Sequence, residues 1–134
     1  MTLVEAAAAR TVDVAPAAKS LVGKVDVIYT STDNNVVSTY ESMVQVAIEA
    51  KIPLVAADTD SVKRGAVAAL GMNYYDIGRQ TGKIVARLLR GEKAGNIAPQ
   101  HGNKTTLTVN PGAAIKQGAP LSASLLKQAH EVVK

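Results

Sequence analysis

Ile52-Pro53-Leu54-Val55-Ala56-Ala57-Asp58-Thr59-Asp60-Ser61 is the stretch whose reading decides the fold. An apolar run of this length fits one buried strand and is too short for a helix. It breaks off abruptly into two carboxylates and two hydroxyls, so the polar cluster falls where the strand leaves its sheet. A second stretch has the same grammar: Val25-Asp26-Val27-Ile28-Tyr29-Thr30 running into Ser31-Thr32-Asp33-Asn34-Asn35. In an open α/β sheet, ligands bind outside the carboxyl ends of the strands. Two strands that both release short polar residues at that end describe half of a binding cleft.

Working outward, Leu3 to Ala9 reads as a short strand, with Glu5 and the Ala run suiting an edge. Asp13 is expected to cap a helix carrying Val14, Ala17, Ala18, Leu21 and Val22, with Pro16 in its first turn and Gly23 as its stop. The near-continuous apolar character of Val25 to Thr30 suits a strand covered on both faces, hence a parallel sheet. Asn34 or Asn35 is expected to cap one long helix bearing Val36, Val37, Tyr40, Met43, Val44 and Ala47 on a stripe, closed by Lys51. Strand, helix, strand, helix, strand is the alternation of an α/β layer.

Beyond Asp58, Ser61 to Arg64 reads as a turn of helix or loop, and Ala66 to Gly71, bracketed by glycines, as a strand. Tyr74 to Arg90 predicts a helix ended by Gly91, with Ile77, Thr81, Ile84 and Leu88 on one side and Arg79, Lys83, Arg87 and Arg90 opposite. Gly78 and Gly82 each cost that helix about 1 kcal/mol relative to Ala, which close helix–sheet approach would offset. The segment 92–104 is a polar loop, Thr105 to Val109 a strand, and Pro111 to Gly118 a short helix or turn. Leu121 to Val133 has the spacing of a final amphipathic helix, with Ser122 or Ser124 near its start.

With 134 residues, one α/β domain is the expected count, its sheet mostly parallel and flanked by helices. Phe and Trp are absent and four Tyr carry all the aromaticity, so Val, Ile, Leu and Ala must build the core. A net charge of +4 with basic residues scattered along helices lacks the clustered patch and stacking aromatics of a nucleic-acid binder. The chain contains no Cys, which excludes thiol catalysis and Cys-ligated metals. No run approaches the roughly 18 apolar residues of a membrane span. Met1 to Ala6 shows neither a basic region nor a cleavage site, so no signal peptide is read in this chain.

Asp58-Thr59-Asp60 admits three chemistries. As metal ligands, the two carboxylates need further oxygen donors. As a phosphotransferase, Asp-x-Asp-x-Val after a strand resembles the first motif of the haloacid-dehalogenase-like phosphatases, with Thr32 in their hydroxyl role and Lys63 or Lys83 as their Lys. That reading lacks the later acidic pair such enzymes need for Mg²⁺. As a binding loop, one Asp accepts from a ligand's ammonium or hydroxyl while the other caps the following turn. In Thr32-Asp33-Asn34-Asn35 one residue must cap its helix, and four in a row leave others for a ligand. His101 and His130 have no partner at ligand spacing. No nucleophile elbow, metal motif or general acid/base pair can be assembled, so neither catalytic residues nor a cofactor are expected.

These same segments, together with Gly71-Met72-Asn73-Tyr74-Tyr75-Asp76-Ile77-Gly78-Arg79-Gln80-Thr81-Gly82-Lys83, resemble the ABC-transporter substrate-binding proteins of the tryptophan/aromatic-amino-acid-binding type. The resemblance runs from about Leu3 to the C-terminus and implies a type-I periplasmic-binding-protein fold: two hinged α/β lobes that close over a small solute. It implies that residues 1–134 form a single lobe, the second, with 105–134 crossing back toward the first. It implies that Thr32, Asp33, Asn34, Asp58 and Thr59 face the ligand, with Asp60 and Asn73 as further contacts. The implied partners are an amino-acid solute, an ABC permease, and either the first lobe or a second copy of the chain, in an extracytoplasmic location. An effector-binding half of a transcription regulator, which shares the fold, is the alternative from another class.

Overall fold

The computed structural model describes residues 1–102 and 104–134; Asn103, within the loop expected over 92–104, lies outside the described residues. In chain order the elements are α1 (Val14–Ser20), β1 (Ile28–Thr30), α2 (Asn34–Ser38), α3 (Tyr40–Ala50), β2 (Leu54–Ala56), α4 (Asp60–Lys63), β3 (Ala68–Met72), α5 (Tyr74–Leu89), β4 (Thr105–Val109), α6 (Pro111–Lys116), α7 (Ala123–Gln128) and β5 (Glu131–Val132). The strands form one sheet in the order β1-β2-β3-β4-β5. β1 and β2 run parallel with Tyr29 opposite Val55, and β2 and β3 run parallel with Val55 opposite Ala68. β4 and β5 are parallel as well. The mostly parallel α/β architecture expected of the sequence is the one observed.

The chain divides into two units, residues 1–71 with 106–134, and residues 72–105. In the larger unit the core lies between helices and one face of the sheet. Ile28, Leu54, Ala56 and Ala69 come from the strands, Val14 and Ala18 from α1, and Tyr40, Met43, Val46 and Ala47 from α3. The small residues let α1 pack closely on α3. Val14, Leu54 and Ala47 are almost fully buried, and each removes apolar surface from water at about 25 cal/mol per Å². Gly23, at φ +75°, takes the left-handed turn beyond α1, as its position suggested. Pro53 sits at the entrance of β2, where its carbonyl accepts the Ile28 N–H at 3.0 Å.

The smaller unit is α5 with the turn and loop that follow it. Asn73 caps this helix, its Oδ1 accepting the N–H groups of Tyr75 (3.0 Å) and Asp76 (3.2 Å). Arg87 pairs with Glu92 through two hydrogen bonds beyond the C-terminal turn. No residue of α5 is buried. A Cβ at Gly78 or Gly82 would meet nothing within 4 Å, so close approach does not account for the two glycines, and nothing else in the structure explains them.

Other expectations are corrected. Leu3 to Ala9 forms no strand; Ala is a poor β-former, and only Ala8 of this stretch packs on the core. Val25 to Thr30 narrows to β1, covered on one face only: Tyr29 is 66% exposed while Ile28 and Thr30 are buried. The single helix expected from Asn34 to Lys51 is two, broken at Thr39, whose φ of −123° leaves the helical region. Asp33, and not Asn34 or Asn35, is its cap. Asp13 makes no capping bond; its carboxylate is engaged by Arg10 instead. The final helix stops at Gln128, because Ala129 turns extended and the chain enters β5. There the His130 N–H reaches the Leu107 carbonyl and the Val133 N–H the Val109 carbonyl, bonds that a helix of the same apolar spacing could not make.

Candidate functional site

The site is built from the exits of β1 and β2. These strands are in register, Thr30 opposite Ala56, and the Ala57 N–H donates to the Thr30 carbonyl at 2.9 Å. The two polar clusters therefore leave the sheet side by side, which is the juxtaposition the sequence grammar required. On the β1 side, Thr32, Asp33 and Asn34 are exposed. Asp33 Oδ1 accepts the N–H groups of Asn35 (2.9 Å) and Val36 (3.1 Å), starting α2. Its Oδ2 has no partner among the described residues, nor have the side chains of Thr32 and Asn34.

On the β2 side, Asp58 is half-buried and divides its oxygens. Oδ1 accepts the Asp60 N–H at 2.9 Å, and Oδ2 accepts the hydroxyl of buried Ser61. Asp58 is thus the residue that starts α4. Asp60 lies exposed in the first turn of α4. Thr59 stands against β3: a Cβ on Gly71 would lie 2.9 Å from the Ala57 carbonyl and 3.1 Å from the Thr59 methyl. Only Gly lets this loop come so close to the strand. Of the seven residues singled out in the sequence, Thr32, Asp33, Asn34, Asp58, Thr59 and Asp60 lie on these adjoining exits. Asn73 belongs to the other unit, where its oxygen serves the α5 cap.

A layer beneath the exits fixes their geometry, and it was not visible in the motifs. Arg64, just past α4, forms a two-pronged pair with Glu41 of α3 (2.7 Å on each prong) and donates to the Val37 carbonyl of α2 at 2.6 Å. Its guanidinium also lies 5.8 Å from the centre of the Tyr40 ring. This pairing holds the Glu41 carboxyl down at about 2. Tyr40 is buried, which pushes its hydroxyl up to about 12, and its oxygen lies 3.3 Å from the Thr30 hydroxyl. Thr30 in turn reaches the Val55 carbonyl at 3.4 Å. The helices that follow β1 and β2 are therefore tied together below the polar residues.

Farther back, fully buried Gln117 accepts the Leu54 N–H at 2.7 Å and donates to the Gly65 carbonyl at 2.8 Å, anchoring β2 at its entrance. No local pattern marks such a residue, since both partners are more than fifty positions away in sequence. A hollow opens beside the exit of β1, lined among others by Ala8, Leu21, Tyr29 and Val36, with Thr30 and Ser31 also in its wall.

Chemically, the two exits offer carboxylates, hydroxyls and an amide: acceptors for an ammonium or a hydroxyl and donors for a polar ligand. Among the described residues, no three His, Asp or Glu side chains gather as a metal ion would require. No helix of the described chain is long and apolar enough to cross a membrane.

Comparison with known proteins points the same way. The chain is 36% identical over 108 residues to a tyrosine-binding protein of Clostridioides difficile, an alignment covering 81% of this chain and 31% of that protein. A conserved domain protein of Vibrio cholerae has a structure similar to it at a TM-score of 0.91 and 38% identity, over 99% of this chain and 45% of the other. An ABC domain of Streptococcus pneumoniae in complex with L-Trp is similar at a TM-score of 0.83 and 25% identity, over 94% of this chain and 43% of the other. The chain thus spans less than half the length of each of these matches. Residues 1–133 match the family described as ABC transporter substrate binding protein. Such proteins bind solutes and are not enzymes, which removes the phosphotransferase reading of Asp58. With its fold and nearly its whole length in agreement, this chain belongs to the ABC transporter substrate binding protein family.

Proposed function

We propose that the chain binds a small amino acid, with an aromatic side chain, as the solute-recognition part of an ABC importer. The observation that supports this reading is the pair of in-register exits of β1 and β2, from which the segments carrying Asp33 and Asp58 leave the sheet. Two carboxylates at one sheet edge suit a ligand that presents an ammonium group. Relatives that bind tyrosine or hold L-Trp supply the ligand class. In this reading Asp33 Oδ2 and Asp58 take the ammonium, while Thr32, Asn34, Thr59 and Asp60 hydrogen-bond its surroundings.

A small ligand needs walls on more than one side. We place this chain as one lobe of a two-lobed cleft whose closure commits the solute, outside the cytoplasm and facing a permease. Residues 105–134 are its crossing segment toward the opposing lobe. The opposing wall is a first lobe or, failing that, a second copy of the chain.

Because the chain contains no Trp, the fluorescence of added L-tryptophan reports on the ligand alone. Titration should give a saturable change in the millimolar range or tighter, with L-tyrosine and L-phenylalanine competing and glucose and ribose inert. Saturable binding of a sugar, or of no amino acid at all, would overturn the ligand class.

A further inference from the structure

We infer that Arg10 grips the carboxylate of the bound amino acid, an assignment that rests on the amino-acid reading above. Nothing in the sequence pattern around Arg10 marks it; its placement in the fold does. The Ala9 carbonyl accepts a hydrogen bond from the Asn35 side-chain amide at 3.1 Å, and the turn Thr11–Asp13 packs against α2. Arg10 is therefore held beside α2, the helix that Asp33 caps.

The guanidinium is oriented and half engaged. Its Nε donates to Asp13 Oδ2 at 2.9 Å and its Nη2 to Asp13 Oδ1 at 2.8 Å. A guanidinium carries five N–H donors in a rigid planar fork. Asp13 occupies one edge, and the Nη1/Nη2 edge has no partner among the described residues. That edge matches a carboxylate with two parallel hydrogen bonds. The Arg10 side chain is 74% exposed, so a ligand can reach it. The Asp13 clamp also holds the side chain in one arrangement, which lowers the ordering cost on binding.

Charge balance selects the same residue. Asp33, Asp58 and Asp60 give the exits three carboxylates, which suit the ammonium of an amino acid and repel its carboxylate. A cation must answer the second group. Arg64 is committed to Glu41 and the Val37 carbonyl, and Lys63 faces Glu131 at 3.4 Å. Of these three cations, Arg10 is the one that keeps a whole edge to offer.

The test compares L-tryptophan with tryptamine, which keeps the ring and the ammonium but lacks the carboxylate, on wild type, Arg10→Gln and Arg10→Lys. Arg10→Gln should weaken L-tryptophan about tenfold or more and leave tryptamine unchanged. Arg10→Lys, which keeps the charge but loses the fork, should fall between. An unchanged L-tryptophan affinity in Arg10→Gln overturns the assignment, and so does an equal loss of both ligands, which would mark a structural role. If tryptamine binds wild type too weakly to follow, the thermal unfolding midpoint of Arg10→Gln replaces it as the structural control, and a lowered midpoint counts against the assignment. Wild type that binds no amino acid sinks the functional reading itself, whereas wild type that binds while Arg10→Gln matches it sinks only the role of Arg10.

Discussion

At the exit of β1, Asp33 spends one oxygen on two backbone N–H groups and keeps the other unengaged among the described residues; at the exit of β2, Asp58 commits both oxygens, one to the Asp60 N–H and one to the Ser61 hydroxyl. The first carboxylate is exposed and the second half-buried. Their sequences are alike, an apolar strand followed by Thr, Asp and short polar residues, yet the two sides divide labour. The β1 side is the less committed one, with exposed side chains that the proposed solute would meet. The β2 side is the more firmly tied one, anchored behind by Gln117 and in front by the Asp58 bonds to Asp60 and Ser61. A carboxylate oxygen has more than one acceptor direction, so Asp58 can still meet an ammonium, but from a position the fold has already fixed.

The more firmly tied side should be the more costly to disturb. Gln117→Leu leaves the Leu54 N–H and the Gly65 carbonyl without partners in the interior, and should lower stability by about 3 kcal/mol, measured by urea unfolding. Asp58→Ala removes the acceptor of the Asp60 N–H and strands the buried Ser61 hydroxyl, for a loss of about 2 kcal/mol. If either change is silent, the β2 exit is not the fixed side of the pair.

On the less committed side the losses separate. Asp33→Ala should cost about 1 kcal/mol through the cap, while Asp33→Asn keeps a capping oxygen and should leave unfolding nearly unchanged. The Asn variant should nonetheless weaken an amino-acid ligand by removing the charge that meets its ammonium. Equal binding by wild type and Asp33→Asn would move the ammonium contact away from β1.

The smallest expected effect concerns the layer that joins the two exits. Tyr40 is held neutral by burial, its folded value raised from 10.0 to about 12. Its contribution is therefore complete below pH 10.0 and is lost as pH climbs toward about 12. Tyr40→Phe should abolish that alkaline fall in stability while costing about 1 kcal/mol at neutral pH through the lost Thr30 contact. Retention of the alkaline transition in the variant would assign it to another group.

What the sequence made legible is instructive. Both strand exits were readable because an apolar run that stops at Asp and Thr has one geometric meaning in a parallel sheet. The extent of α5 was readable from its side-chain spacing and the breaks at Gly23 and Gly91 from local turn chemistry, whereas the Asn73 cap was not read. The second half of the last helix was not, because Leu121 to Val133 keeps helical apolar spacing and only pairing with β4 pulls Glu131 and Val132 into a strand. The helix break at Thr39 was likewise hidden in an unbroken apolar stripe. Arg64 and Gln117 were invisible for one reason: their partners are brought to them by the fold and are distant in sequence. Cap residues, by contrast, act within three positions, and even there the sequence could not choose between Asp33 and the asparagines that follow it.

The account depends on both exits meeting one ligand. Two-dimensional amide NMR of the 134-residue chain, titrated with L-tryptophan, tests this directly. The account predicts that the signals of Thr32, Asp33 and Asn34 move together with those of Asp58, Thr59 and Asp60, along a single saturable curve. Shifts confined to one exit, or gathered elsewhere on the chain while both exits stay still, would contradict it.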